Sequence, residues 1–175
     1  MAIAQLCNPA ETVFDNSGNL IIADYGNRRV TPDGTISTIA GNGNKPPALN
    51  AGPNGDGGPA IHATFDNMGG MAFDSAGNVY VSESLGNAVR KITPKGEVST
   101  LAGTGRRGYS GDGGPALEAN LFNPGPLSVG PGGALYVFAA TAEFARSPRM
   151  DVSPWWRAPE PERGSFVPRE TADRP

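Results

Sequence analysis

Residues 77–103 read GNVYVSESLGNAVRKITPKGEVSTLAG. Within them NVYVSES, AVRKITP and EVSTLAG alternate apolar and polar residues in large part, which is the period of a strand rather than a helix. Turn signals punctuate the alternation. TPKG at 93–96 offers a proline to fix φ and a glycine for a left-handed residue. Upstream, DSAGN at 74–78 places Asp74 where its carboxylate can accept a backbone N–H, with Gly77 and Asn78 where φ turns positive. The spacing predicts four short strands, at about 69–73, 78–83, 88–93 and 97–102.

The unit recurs. ETVFDNSGNLIIAD (11–24) matches GMAFDSAGNVYVSE (70–83), so that Phe14 aligns with Phe73, Asp15 with Asp74, Gly18 with Gly77 and Asp24 with Glu83. TPDGTISTIAGNG (31–43) matches TPKGEVSTLAGTG (93–105) at a spacing longer by three residues, and Arg90-Lys91-Ile92 are read as the extra ones. On that reading the third strand of the first copy is cut short. GDGGPA appears at 55–60 and again at 111–116, and a third copy begins at NLFNPGPLSVGPGGALYVF (120–138). The third copy departs from the pattern: Gly130 stands where the turn aspartate should be, and Phe138-Ala139 replace the acidic end of the second strand. Four short strands repeated at this interval are the signature of a propeller blade. The fold class expected is therefore all-β, an incomplete β-propeller of four-stranded antiparallel blades.

GNVYVSESLGNAVRKITPKGEVSTLAGTGRRGYSGDGGPA (77–116) resembles the NHL-repeat β-propeller family in its long-repeat, bacterial and teneurin-like form. The resemblance covers about residues 3–138 and assigns structural roles to Asp74, Gly77, Asn78, Val89, Ile92 and Gly103. The domain expected spans 1–138, with repeats at about 4–62, 63–118 and 119–138. That is about two and a half blades, against 4–8 in a closed propeller. IAQL at 3–6 resembles the end of the GDGGPA linker, so the chain is expected to begin in mid-repeat. The expectation is a fragment of a longer propeller, or else a ring completed by self-association through open blade faces.

Composition changes near residue 139. Residues 1–138 carry 24 of the 25 glycines, whereas 139–175 carry one glycine, six arginines, six acids and six prolines. The segment 139–175 is read as a disordered tail outside the repeat's reading frame, with Trp155-Trp156 as a pair of aromatics in it. Net charge is −3, and residues 1–138 hold eight basic against eleven acidic residues, so no nucleic-acid partner is expected. No apolar run approaches the ~18 residues of a membrane span. MAIAQLCNPAE at the start lacks a basic segment, so no secretory leader is expected. The single cysteine, Cys7, cannot pair internally and is read as a small buried hydrophobe.

Several stretches invite a chemical reading. GTGRRG (103–108) has the spacing of a dinucleotide-binding loop, but YSGDGGP follows it where a helix would have to start. Asp56 and Asp112 each stand before a Gly-Gly-Pro, which suits a turn in which the aspartate bonds its own backbone. One carboxylate per loop falls short of the six to eight oxygens of a calcium site. His62, the only histidine, sits where the next copy has Glu118, a solvent-facing linker position. No catalytic, cofactor-binding or metal residues are assigned, and no cofactor is expected. The structural turns are assigned to Asp15, Gly18, Asp56, Asp74, Gly77 and Asp112, and a candidate contact loop to Arg106, Arg107 and Tyr109. The function expected is a non-catalytic scaffold that binds a protein or glycan on its loops. The alternatives are a piece of a six-bladed gluconolactonase-like hydrolase or NHL-type lyase, which the resemblance would furnish with a channel metal, and a truncated reading frame with no independent function.

Overall fold

The computed structural model describes residues 5–6, 9–24, 27–44, 46, 52–139 and 150–151. Cys7, Lys45 and Trp155-Trp156 lie outside the described residues. The chain is all-β, and its sheets are antiparallel with nearest-neighbour order. The first sheet is β1 (Glu11–Phe14), β2 (Leu20–Ala23), β3 (Arg28–Val30) and β4 (Ile36–Thr38). The second is β5 (Met68–Phe73), β6 (Val79–Glu83), β7 (Ala88–Ile92) and β8 (Val98–Ala102). The third holds β9 (Pro124–Val129), β10 (Leu135–Ala139) and β11 (Met150–Asp151) in the order β11-β10-β9. β11 falls within the segment expected to be a tail without strands, where it pairs Asp151 with Tyr136. Among the described residues no helix is long and apolar enough to cross a membrane.

The sheets stack because one strand feeds two cores. Side chains alternate across a strand. On β6, Val79 and Val81 enter a cluster with Ile21, Phe65, Met71, Ile92 and Val98, between the first and second sheets. Tyr80 points the other way, into a cluster with Val89, Leu121, Leu135 and Val137, between the second and third. Every residue of β6 is therefore buried. Gly69 and Gly70 bring the innermost strands into contact. A Cβ on Gly70 would lie 2.6 Å from the Gly125 carbonyl oxygen and 2.7 Å from Pro126 Cα.

The register corrects the expected repeat alignment. Val30, Arg29 and Arg28 pair with Leu20, Ile21 and Ile22, as Ile92, Lys91 and Arg90 pair with Val79, Tyr80 and Val81. Arg28-Arg29-Val30 are thus the counterparts of Arg90-Lys91-Ile92, and the first copy does not lack them. β3 (Arg28–Val30) is shorter than β7 (Ala88–Ile92) at its other end, where among the described residues Ala88 and Val89 have no strand counterpart. Residue type alone does not distinguish the two ends of the strand, because Arg28-Arg29-Val30 and Arg90-Lys91-Ile92 differ in sequence while sharing a register.

Candidate functional site

In an antiparallel four-stranded blade, the connections from second to third strand and from fourth strand to the next blade share one end. Asn123 N–H donates to Asn87 Oδ1 at 3.3 Å and Ser84 N–H to the Asn67 carbonyl at 2.8 Å, which ties these connections together. The loop carrying Arg106, Arg107 and Tyr109 leaves β8 at this end. The Arg107 guanidinium lies 4.1 Å from the centroid of the Phe122 ring, and Tyr109 meets the same ring at 5.3 Å. Arg106, Arg107 and Tyr109 are exposed and Phe122 is half-buried. Phe122 was not among the expected contact residues. It stands next to Leu121, which is buried, so the strandlike entry into β9 turns its ring outward. Thr104 Oγ1 and Asn120 Oδ1 are bonded at 2.5 Å and Asn120 Nδ2 donates to Ser110 Oγ at 2.9 Å, closing the loop at its base.

The turn aspartates lie elsewhere. Asp15 Oδ1 accepts the N–H groups of Ser17 and Asn19, each at 2.9 Å, while Asn19 Nδ2 donates to Oδ2 at 2.7 Å. Asp74 repeats this with Ala76 and Asn78 and also takes the Tyr80 hydroxyl at 2.9 Å. Gly18 and Gly77 carry φ of 78° and 81°. Burial works to raise both carboxyls, but the asparagine and backbone bonds outweigh it and hold them below the ordinary carboxylate range.

Tyr80 shows the other side of this arrangement. Burial, then the bond to Asp74, pushes its phenol from 10.0 up to about 12. The folded chain keeps a proton that the unfolded chain releases near pH 10. This contribution to stability is whole below about pH 10 and is lost as pH rises towards about 12. Phenolate absorbance, taken as the difference between the native chain and Tyr80→Phe, should report that late ionisation. Asp74→Asn should move it back towards the ordinary value, and an unmoved titration contradicts the assignment.

Asp56 does not bond its own backbone, contrary to the expected turn. Its Oδ1 accepts from Arg90 Nη2 at 2.7 Å and its Oδ2 from the Thr100 N–H at 2.9 Å. Arg90, fully buried on β7, also donates to Glu83 Oε1 at 2.7 Å and to the Asn54 carbonyl at 2.6 Å, with Phe65 5.5 Å away. Around it, Gly57 N–H donates to the Val98 carbonyl, Val98 N–H to that of Gly58 and Ala60 N–H to that of Gly96. The 55–60 loop is thus a latch that covers the outer edge of β8. Burial pushes the Glu83 carboxyl up, and Arg90 pulls it back. Burial works upward on Asp56 too, but Thr100 and Arg90 prevail and hold it low. The corresponding loop in the next repeat places Asp112 in solvent. His62 is exposed at the end of a short 3-10 turn, Ala60–His62. Among the described residues no three His, Cys, Asp or Glu side chains gather as a metal site requires.

No family model matches the chain. It is 31% identical to mouse (Mus musculus) Teneurin-1 over 91 residues, which is 45% of this chain and 3% of that protein. A structure of a protein of unknown function from Bacteroides thetaiotaomicron superposes with a TM-score of 0.59 at 21% identity, over 78% of this chain and 34% of the other. An auxiliary nutrient binding protein from Bacteroides ovatus gives 0.54 at 18% identity, over 75% and 34%. The chain therefore spans a small part of the curated relative and about a third of each solved neighbour. The shared architecture is that of propeller blades.

Proposed function

We propose that this chain is part of an NHL-repeat propeller that acts as a binding scaffold, and that Arg106, Arg107, Tyr109 and Phe122 form its contact surface for a protein or glycan partner. The teneurin likeness supports the repeat type. The exposed Arg107 and Tyr109, gathered on the half-buried Phe122 ring, carry the binding role. Tyrosine and arginine are among the residues on which binding energy concentrates: tyrosine offers area and a hydroxyl at small entropic cost, and arginine a planar guanidinium with several donors. The group suits a ligand with a carboxylate for the guanidinium beside a flat apolar surface for the rings. Acidic protein surfaces and acidic sugars both present that combination.

Immobilised glutamate-rich peptides and sialylated glycans are direct probes. The chain should bind one of them, and Arg107→Ala with Tyr109→Ala should weaken that binding at least about tenfold. Both side chains are exposed, so the thermal melt should stay within about 4 °C, in line with two surface substitutions each worth under about ±0.5 kcal/mol. Binding that survives the double substitution would place the contact surface elsewhere.

A further inference from the structure

Asn-Gly occurs twice in the sequence, at 42–43 and at 54–55. In this dipeptide the asparagine amide is open to attack from its own backbone, because glycine sets no side chain beside the attacking nitrogen. The fold places the two pairs in different settings. Asn54 Oδ1 accepts the Thr64 N–H at 3.0 Å, its Nδ2 donates to Thr64 Oγ1, and its backbone carbonyl takes Arg90 Nη2 at 2.6 Å. The side chain is thus committed to a residue ten positions on, and turning it onto Gly55 would break both bonds. Gly55 is itself packed against Ala63, whose Cβ would lie 3.1 Å from a Cβ added there.

Asn42 is exposed, and its side chain is turned onto its own backbone. Its Oδ1 accepts the Asn44 N–H at 3.0 Å, across the Gly43 peptide. The ring that this bond closes contains both Cγ and the Gly43 nitrogen, the two atoms that would react. The same N–H is a donor on the oxygen that turns negative when Cγ is attacked. The amide nitrogen that would leave makes a long bond, 3.4 Å to the His62 carbonyl. A Cβ added to Gly43 would meet nothing within 4 Å, so water and base have access.

The next repeat supplies the comparison. The N–H groups of Gly41 and Asn42 bond the carbonyls of Ala60 and Ala63, as those of Gly103 and Thr104 bond the carbonyls of Ala116 and Ala119. Thr104 is therefore the counterpart of Asn42. Its Oγ1 accepts the Arg106 N–H at 3.2 Å, as Asn42 Oδ1 accepts that of Asn44. The turn needs an oxygen at this position, and a hydroxyl serves as well as an amide.

We infer that Asn42 is a self-modifying site, which converts to aspartate and isoaspartate in the folded chain while Asn54 is preserved. The Gly43 nitrogen gives its proton to solvent base and bonds to Cγ. The Cγ–Nδ2 bond breaks, and the nitrogen takes up a proton and leaves as ammonia. Water then opens the resulting succinimide at either of its carbonyls. Each product carries a new negative charge, and the isoaspartyl form runs the backbone through Cβ. The bond to the His62 carbonyl is lost with the amide, so a carboxylate comes to face that carbonyl oxygen.

Peptide mapping by mass spectrometry of the full chain, aged in mildly alkaline buffer, tests this. Asn42 should convert at least about tenfold faster than Asn54 in the folded chain, because one side chain is held for attack and the other away from it. In urea, where Thr64 no longer holds Asn54, the two rates should converge. Chromatography should resolve two products of equal mass at position 42, as opening of a succinimide requires. Asn42→Thr should keep the circular dichroism spectrum and lose the acidic species that the native chain gains. Equal rates at the two sites in the folded chain overturn the proposal. So does an Asn42 that stays intact while the urea-unfolded chain converts, or a single aspartyl product.

Discussion

Changing Arg90 to methionine should remove about 3–5 kcal/mol of unfolding free energy, read as a fall in the urea midpoint at unchanged slope. Methionine fills much of the volume but leaves Glu83 ionisable, buried and without its partner. A buried charge stripped of its counter-ion is what makes such losses large. Asp56→Asn should cost only about 1 kcal/mol, because that carboxylate sits half in solvent and asparagine can still accept one bond. Combining Arg90→Met with Glu83→Gln should recover a good part of the loss, since the orphaned charge is then gone. A loss below about 1 kcal/mol for Arg90→Met would mean that the network is not the fastening it looks like.

Gly70→Val should cost about 3 kcal/mol, the upper end of ordinary overpacking. The atoms in the way belong to the backbone of Gly125 and Pro126, and they cannot rotate aside as a side chain would. The second and third sheets must separate or β9 must shift. Ser82 Oγ, which donates to the Gly125 carbonyl at 2.7 Å, and Ser84 Oγ, which donates to that of Pro124 at 3.0 Å, would lose their acceptors. Protease sensitivity should rise around 120–126 before it rises elsewhere. Gly77→Ala serves as a comparison, because its cost comes from a φ of 81° and the nearest obstacle is Pro94 Cγ at 3.5 Å. It should destabilise by only about 1 kcal/mol.

The strands of the second blade were legible to within a residue or so, 68–73, 79–83, 88–92 and 98–102 against the expected 69–73, 78–83, 88–93 and 97–102. Period and turn chemistry are local, and here they agree with the tertiary packing. The Arg90 fastening was not legible, because Asp56 and Arg90 stand 34 residues apart and an aspartate before two glycines satisfies a local turn just as well. The signal existed. An acid ending the second strand and an arginine in the third recur as Asp24 with Arg28 and as Glu83 with Arg90, once the repeat is aligned by register. Phe122 was missed for a related reason: a linker aromatic has no periodic neighbour to say which way it faces.

β6 belongs to both apolar clusters, and that membership has a kinetic meaning. Neither neighbour can peel away without wetting one face of this strand, and the strand cannot open without wetting both. Its amides should therefore exchange with deuterated solvent last, with rates climbing outward on each side, so that an exchange map of the chain peaks in protection at Val79–Glu83 and slopes down towards β1 and β10.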